Sequence, residues 1–220
     1  MSAMEPGDDP HDQFPAGFFD RSDATPDAHF YAFDRLVTHI DARAIAAVGS
    51  LYDRLGLHRG SVLDLMSSWI SHFRVQPPEL VVLGMNAAEL AANSMATDVV
   101  VHDLNVSAAM PVFADGRFDA ATCCVSVDYL TRPIDVIREV ARIVKPGGLF
   151  VCTFSNRCFP TKAIRGWLSS NDEQHGAIVG RYLALAGGWE PAEAARCTPP
   201  NTPGDPLYAV WARRLAVPGG

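Results

Sequence analysis

Short apolar runs alternate with amphipathic helical segments along most of this chain. Between the last two runs, residues 133–144 place their apolar side chains at helical spacing. Continuous apolar strands separated by helices are typical of a parallel sheet that is covered on both faces. The sequence therefore predicts an α/β fold with a doubly wound, Rossmann-like, mostly parallel sheet. The predicted strands are 61–65 (SVLDL), 80–83 (LVVL), 98–102 (DVVVH), 118–125 (FDAATCCV) and 149–154 (LFVCTF).

The two ends of the chain follow other patterns. Residues 30–57 have helical periodicity, with Asp41 as a predicted N-cap and Gly56 near the end. Near the C-terminus, a helix at 172–186 precedes two strand-like segments, 189–197 and 207–215, which are joined by a proline-rich loop. Because no helix separates these two segments, they are predicted to form an antiparallel hairpin.

The distribution of charge divides the chain into two parts. Residues 1–29 contain seven acidic residues and one arginine, whereas the rest is nearly neutral within an overall charge of −7. We therefore predict an acidic tail at 1–29 and one domain at 30–220, since 220 residues suit a single core. The tail is either disordered or folded over a ligand as a lid, because Phe14, Phe18 and Phe19 favour burial.

Composition also restricts the environment and the partners. No apolar stretch is long enough to span a membrane, and no signal peptide precedes the first helix. The five cysteines include no CxxC pair, so neither a metal site nor a disulfide framework is indicated. No basic block suggests a nucleic-acid partner. The expectation is a cytoplasmic protein that acts on a small molecule, without nucleic acid or membrane.

A family resemblance rests on one long stretch and on the terminal hairpin. Residues 110–154, MPVFADGRFDAATCCVSVDYLTRPIDVIREVARIVKPGGLFVCTF, resemble the fourth strand, helix, PGG turn and fifth strand of class I S-adenosylmethionine-dependent methyltransferases. The closing GGWEPAEAARC and DPLYAVWARR resemble the final hairpin of that family, and the resemblance covers roughly 60–215. The chain looks like a methyltransferase-11-like subgroup with a glycine-free DLMSSWISH loop. This implies a seven-stranded sheet, S-adenosyl-L-methionine as cofactor and S-adenosyl-L-homocysteine as product.

The resemblance assigns a cofactor site to the ends of the strands. The family places glycines two, four and six residues after the acid of the first strand, where this chain has Met66, Ser68 and Ile70. The serine hydroxyls can replace bare backbone, or the loop has lost the cofactor. Asn86 stands where the family usually has an acid for the ribose hydroxyls, and Asp103 matches the acid for the adenine amino group. The implied cofactor residues are Asp64, Met66, Ser67, Ser68, Asn86, Asp103, Leu104, Cys124 and Val125.

The acceptor side is predicted from placement after the strands. Asp128, Tyr129 and His39 are the candidates for positioning the acceptor at the methyl group. The candidate substrate-binding residues are Thr38, Trp69, His72, Asn156 and Arg157. Each has an alternative, since a lone histidine is often structural, Tyr129 can belong to the core and Arg157 can pair with a surface carboxylate.

Three functions compete on these observations. The first is S-adenosylmethionine-dependent methyl transfer to a small-molecule acceptor by in-line displacement. The second is a catalytically inactive scaffold or partner subunit with a methyltransferase fold, which the glycine-free loop and Asn86 favour. The third, an NAD-dependent dehydrogenase, lacks the GxGxxG that should follow the first strand.

Overall fold

The computed structural model describes residues 9–216, which form one seven-stranded sheet with helices on both faces. The strands are β1 (Ser61–Leu65), β2 (Glu79–Gly84), β3 (Asp98–Val101), β4 (Phe118–Cys124), β5 (Val144–Phe154), β6 (Glu193–Arg196) and β7 (Tyr208–Arg213). The helices are α1 (Asp27–Phe30), α2 (Ala42–Arg54), α3 (Ala87–Ala91), α4 (Pro133–Ile143), α5 (Arg165–Leu168) and α6 (Asp172–Ala186).

The strand order across the sheet is β3-β2-β1-β4-β5-β7-β6. The first five strands pair in parallel, while β7 lies antiparallel between β5 and β6. This confirms the predicted α/β fold and its C-terminal hairpin. The strand order reverses direction beside β1, so β1 and β4 mark the position where open α/β sheets bind ligands.

Alternation along the strands separates two apolar cores. On β1, Leu63 and Leu65 face a core that includes α4 and α6, while Val62 faces a second core built on α2. The neighbouring cysteines of β4 divide in the same way, Cys123 into the first core and Cys124 against the second. Successive side chains of a strand point to opposite faces, so these two neighbouring thiols lie in different cores.

Several elements differ from their predicted bounds, most of all the N-terminal helix and the fifth strand. Helix α2 begins after its N-cap Asp41, whose carboxylate accepts from the Ala44 N–H at 2.8 Å, so residues 31–41 are not part of it. In that stretch the Arg35 N–H donates to Glu89 and the Asp41 N–H to Asp205, both distant in sequence. Strand β5 begins at Val144, earlier than predicted, because Val144 pairs with Phe118 before a shift in register.

Residues 9–30 pack against the body of the protein. Phe14, Phe18 and Phe19 form an aromatic cluster, and the ring centroids of Phe14 and Tyr182 are 5.4 Å apart. Arg21 forms an isolated antiparallel bridge with Ile164. Residues 1–8 of the predicted tail lie outside the described residues, and the domain boundary at residue 30 stays a prediction.

A buried group of charged side chains holds this N-terminal stretch against the chain that follows β5. Asp27, on α1, accepts from Arg21 Nη1 with both carboxylate oxygens, at 2.9 and 2.8 Å. The ammonium of Lys162 is fully buried and lies 3.1 Å from carboxylate oxygens of Asp23 and Asp27. It also donates to the Thr25 carbonyl at 2.8 Å. Two cations and two anions therefore neutralise one another largely out of water.

Replacing Lys162 by methionine tests this fastening. Lys162→Met leaves oxygens of Asp23, Thr25 and Asp27 without their cation, so the free energy of unfolding should fall by about 3 kcal/mol. Lys145→Met is the matched control, because Lys145 pairs with Asp119 on the surface, where a pair contributes about 0–1 kcal/mol. Urea unfolding measures both variants, and equal losses would contradict the role given to Lys162.

Candidate cofactor and acceptor site

A cavity of about 300 Å³ lies at the carboxyl ends of the parallel strands. Its wall combines the ends of β1, β2 and β4, the turn after β3, and residues 31–39, which we call the covering segment. A volume of this size suits a small-molecule ligand. The polar groups of the wall include Asp64, Ser67, Ser68, Asn86, Glu89, Asp103 and Asn105.

Asp64 lies near the end of its strand as a buried carboxylate. Its two oxygens accept hydrogen bonds from the Ser67 and Thr122 hydroxyls, both at 2.6 Å. Burial nevertheless raises the pKa of Asp64 above its ordinary value, with the two hydroxyls acting in the opposite direction. A cation entering the cavity beside Asp64 would favour the ionised form and be held by it.

The loop after β1 keeps a left-handed backbone without glycine. Met66 has φ 51° and His72 has φ 58°, and Val125, beyond β4, has φ 47°. Non-glycine residues rarely adopt this conformation, and it is least favourable for a β-branched side chain such as valine. All three residues line the cavity, so the unusual backbone lies where the ligand would bind.

Asn86 has no free hydrogen-bonding position. Its Oδ1 accepts from the Ala88 and Glu89 N–H groups at 2.9 and 3.0 Å, as the N-cap of α3. Its Nδ2 donates to the Tyr31 carbonyl at 3.2 Å and to Asp34 at 2.8 Å. An amide has two donors and two acceptor lone pairs, and all four are in use.

The turn after β3 presents Asp103 and Leu104 to the cavity. Asp103 Oδ1 accepts from the Asn105 N–H at 2.9 Å, an Asx-type turn that orients the carboxylate and leaves Oδ2 without a partner among the described residues. Asn105 donates in turn to Asp27 and to the Tyr129 carbonyl, each at 2.9 Å. The turn is therefore tied to the buried charge group described above.

The covering segment is held by two contacts from the other side of the cavity. The Arg35 N–H donates to Glu89 Oε1 at 2.6 Å, and the Trp69 indole donates to the Val37 carbonyl at 3.1 Å. The Arg35 guanidinium lies over the Phe30 ring, 4.5 Å from its centroid. These contacts hold the covering segment across the cavity.

Aromatic rings and two imidazoles form another part of the cavity wall. The rings of His39 and Phe159 are 5.2 Å apart, edge to face, and the Tyr129 hydroxyl accepts from the Phe159 N–H at 2.9 Å. Burial lowers the pKa of His72 to about 4, and burial also lowers the pKa of His39. Both imidazoles are therefore neutral near pH 7 and able to accept a proton.

Most of the predicted site residues meet in this cavity. Asp128, Trp69 and Asn156 are outside its wall: Asp128 is buried behind it, and Asn156 is exposed. Arg157 lines the cavity and is bonded to Asp205 at 2.7 Å. The predicted residues in the wall are Thr38, His39, Asp64, Met66, Ser67, Ser68, His72, Asn86, Asp103, Leu104, Cys124, Val125, Tyr129 and Arg157.

Several residues of the wall were not predicted from the sequence. Tyr31, Arg35 and Phe159 enter it because the covering segment and the chain after β5 fold across the strand ends. Glu89 could have been found, because it lies in the first turn of the helix that Asn86 caps. Within residues 9–216 no three metal-ligating side chains converge, and no helix has the length and apolarity needed to cross a membrane.

Comparison with known proteins agrees with this geometry. Residues 64–152 match the family described as "Methyltransferase domain", from Asp64 into β5. The matched segment is therefore similar to methyltransferase domains. The match includes the glycine-free loop and the turn of Asp103.

One curated relative matches part of this chain. It is the ubiquinone/menaquinone biosynthesis C-methyltransferase UbiE of Roseobacter denitrificans, 35% identical over 103 residues. The match covers 46% of this chain and 35% of the relative, so it spans about a third of that protein.

Solved structures share the fold of this chain. A putative methyltransferase of Haloferax volcanii, in complex with the Trm112 methyltransferase activator, has a TM-score of 0.55 and 14% identity, covering 80% of this chain and 93% of that one. A S-adenosylmethionine-dependent methyltransferase of Thermotoga maritima has a TM-score of 0.56 and 13% identity, covering 78% and 90%. At these identities the likeness shows the fold alone.

Asp128 gives a prediction on pH and stability. Burial raises the pKa of Asp128 to about 8, and its Oδ2 has no hydrogen-bond partner among the described residues. The folded chain thus keeps a proton that the unfolded chain releases from about pH 4 upward, so this carboxyl lowers stability as the pH rises to about 8. Asp128→Asn should remove that loss, and its gain in melting temperature should grow with pH.

The measurement is thermal unfolding of both chains at about pH 5, 6.5 and 8. Asp98→Asn, at an exposed position on β3, is the matched control for loss of one carboxylate. A gain for Asp128→Asn that stays constant over this range would show that the carboxyl is not protonated in the folded chain.

Proposed function

We propose that this protein transfers a methyl group from S-adenosylmethionine to a small-molecule acceptor by in-line displacement. The observation that carries the proposal is the continuous cavity that joins the cofactor residues at the strand ends to the aromatic and imidazole wall beside the covering segment. S-adenosylmethionine supplies a methyl group on a positively charged sulfur, a donor that is already activated. The protein then has to align the acceptor and exclude water.

The residues present fit this cofactor. Asp64 is a buried carboxylate in need of a cation, which the amino group of the methionine portion provides. Asp103 Oδ2 is available to accept from the adenine amino group, and Leu104 offers an apolar surface to the ring. Cys124 and Val125 form the floor, and Ser67 and Ser68 supply polar atoms in the loop that is glycine-rich in related enzymes.

The acceptor side favours a small, planar, hydroxylated compound. Tyr31, Tyr129 and Phe159 offer aromatic surfaces, and an aromatic wall pairs well with a planar ring. His39 is neutral and can accept the proton that leaves a hydroxyl acceptor, whereas His72, with a pKa of about 4, is too weak a base for this role. The partial match to a ubiquinone/menaquinone biosynthesis C-methyltransferase agrees with an aromatic acceptor of this kind.

In this proposal His39 holds and removes the acceptor proton, Tyr129 orients the chain after β5 through the Phe159 N–H, and Thr38 and Arg157 border the acceptor. Trp69 and Asn156 lie outside the cavity wall, so they support the neighbouring segments and do not contact the acceptor. Asp128 lies behind the wall. Its backbone carbonyl accepts from the Ile164 N–H at 2.9 Å and so stabilises the turn after β4.

The second candidate is a methyltransferase-fold scaffold that does not use the cofactor. The observations that favour it are the side chains of Met66, Ser68 and Ile70 in the loop after β1 and the saturated amide of Asn86. The Haloferax structure, solved with a methyltransferase activator, shows that a protein of this fold can have a protein partner. Cofactor binding separates the two candidates.

Calorimetric titration with S-adenosylmethionine and S-adenosylhomocysteine is the first test. We expect micromolar binding, and a loss of about tenfold or more in Asp103→Ala, since a hydrogen bond to a charged group contributes about 1.5–3 kcal/mol. Asp98→Ala, exposed on β3 and outside the cavity wall, should bind as the natural chain does. Absence of binding at millimolar ligand would reject the enzyme in favour of the scaffold.

The acceptor class and the role of His39 are tested together. Radiolabelled methyl transfer is measured against a panel of small hydroxylated aromatics, including a naphthoquinol with an unsubstituted ring position, and against small aliphatic amines. We expect transfer to the aromatics, and His39→Gln should lower kcat about 100-fold while leaving S-adenosylhomocysteine affinity unchanged. Transfer to the amines alone would contradict the aromatic acceptor, and a parallel loss of affinity would place His39 in cofactor binding.

A further inference from the structure

Glu89 is a buried carboxylate of the cavity wall with one oxygen still free. Its side chain belongs to the first turn of α3 and the residue is 7% exposed. Oε1 accepts from the Arg35 N–H at 2.6 Å, and no described residue donates to Oε2 or forms an ion pair with Glu89. The residue lines the cavity, where a ligand can reach its side chain.

A carboxylate in this position needs hydrogen-bond donors. Withdrawing a charged group from water without partners is costly, and buried polar atoms in folded proteins are nearly always bonded. One backbone N–H satisfies one of the four acceptor positions of a carboxylate. A ligand that brings hydroxyl donors to this part of the wall would satisfy the others.

The position of Glu89 indicates which ligand group that is. Asn86, at the end of β2, stands where related enzymes have the acid for the ribose hydroxyls, yet its amide already makes four hydrogen bonds. Glu89 lies three residues further on, about one helical turn from Asn86, and both line the cavity. The carboxylate missing at residue 86 is thus present one turn along α3.

We propose that Glu89 binds the vicinal diol of the cofactor ribose, in place of the acid that this chain lacks at residue 86. This inference rests on the proposed function. The oxygen that faces the cavity accepts from the sugar hydroxyls, and the other stays on the Arg35 N–H. The ligand and the covering segment would therefore share one carboxylate.

Asp34 is the other carboxylate near this position, and the geometry favours Glu89. Asp34 is exposed, its Oδ1 is bonded to Asn86 Nδ2 at 2.8 Å, and it is not part of the cavity wall. Its role is to hold the Asn86 amide, and through it the N-terminus of α3. Glu89 differs in being both buried and in the wall.

The test compares one variant with one change in the ligand. Affinities of the natural chain and Glu89→Gln are measured by calorimetry for S-adenosylhomocysteine and for its 2′,3′-dideoxy analogue. Glutamine keeps the size of the side chain and can still accept from Arg35, but it loses the charge. We expect Glu89→Gln to weaken S-adenosylhomocysteine binding about 10- to 100-fold and to leave binding of the dideoxy analogue within about twofold.

Two further variants complete the design. Glu89→Asp keeps the charge but shortens the side chain by one methylene, so it should also lose affinity for the diol and not for the dideoxy analogue. Glu190→Gln, at an exposed position outside the cavity wall, should change neither affinity. Circular dichroism and melting temperature confirm that each variant is folded.

The outcomes distinguish the role of Glu89 from the proposed methyltransferase function. Equal losses for both ligands in Glu89→Gln, or no loss for either, would overturn the role of Glu89 while leaving the methyltransferase intact. Failure of the natural chain to bind S-adenosylhomocysteine would overturn the proposed function, and the role of Glu89 with it.

Discussion

The cavity depends on a neutral group of charges that is buried away from the sheet. Lys162, Asp27, Arg21 and Asp23 hold the N-terminal stretch against the chain that follows β5. Asn105 links Asp27 to the turn of Asp103, and the covering segment begins directly after α1. A charge group of this kind contributes little net stability but strongly penalises any arrangement that separates its members. It therefore fixes where the wall of the cavity lies.

The site lies at the strand ends, as in related enzymes, but is built from different residues. The loop after β1 adopts the left-handed conformation at Met66, although glycine would do so without strain. The hydroxyls of Ser67 and Thr122 hold Asp64, and a carboxylate is present one helical turn after Asn86. Side chains here occupy positions that bare backbone and one acid fill in related enzymes, so the site is built more by the chain's own hydrogen bonds than by empty space.

Local patterns predicted the fold well. The apolar runs of β1 and β4, the cap at Asp41 and the hairpin of β6 and β7 are all encoded within a few residues of where they act. The strand ends then place Asp64 and Asp103 at one edge, which made both predictable as site residues.

The remaining parts of the site depend on contacts that are distant in sequence. Arg35 meets Glu89, and Asp23 meets Lys162, 139 positions away. No periodicity or residue spacing indicates contacts between residues so far apart in sequence. The sequence therefore could not predict how residues 9–30 and the covering segment pack. The position of Asp128 after β4 predicts a place at the acceptor, but the turn there directs this side chain behind the wall.

The distant anchoring of the N-terminal stretch has a consequence for synthesis on the ribosome. The aromatic residues around Phe18 emerge early, but their partners on α5 and α6 are made much later, as are Lys162 and Ile164. Strand β7, which pairs with both β5 and β6, is made near the end of the described chain. The growing chain therefore carries an unsatisfied aromatic cluster until α5 and α6 have been made. Chaperone contact during translation would fall on this early segment.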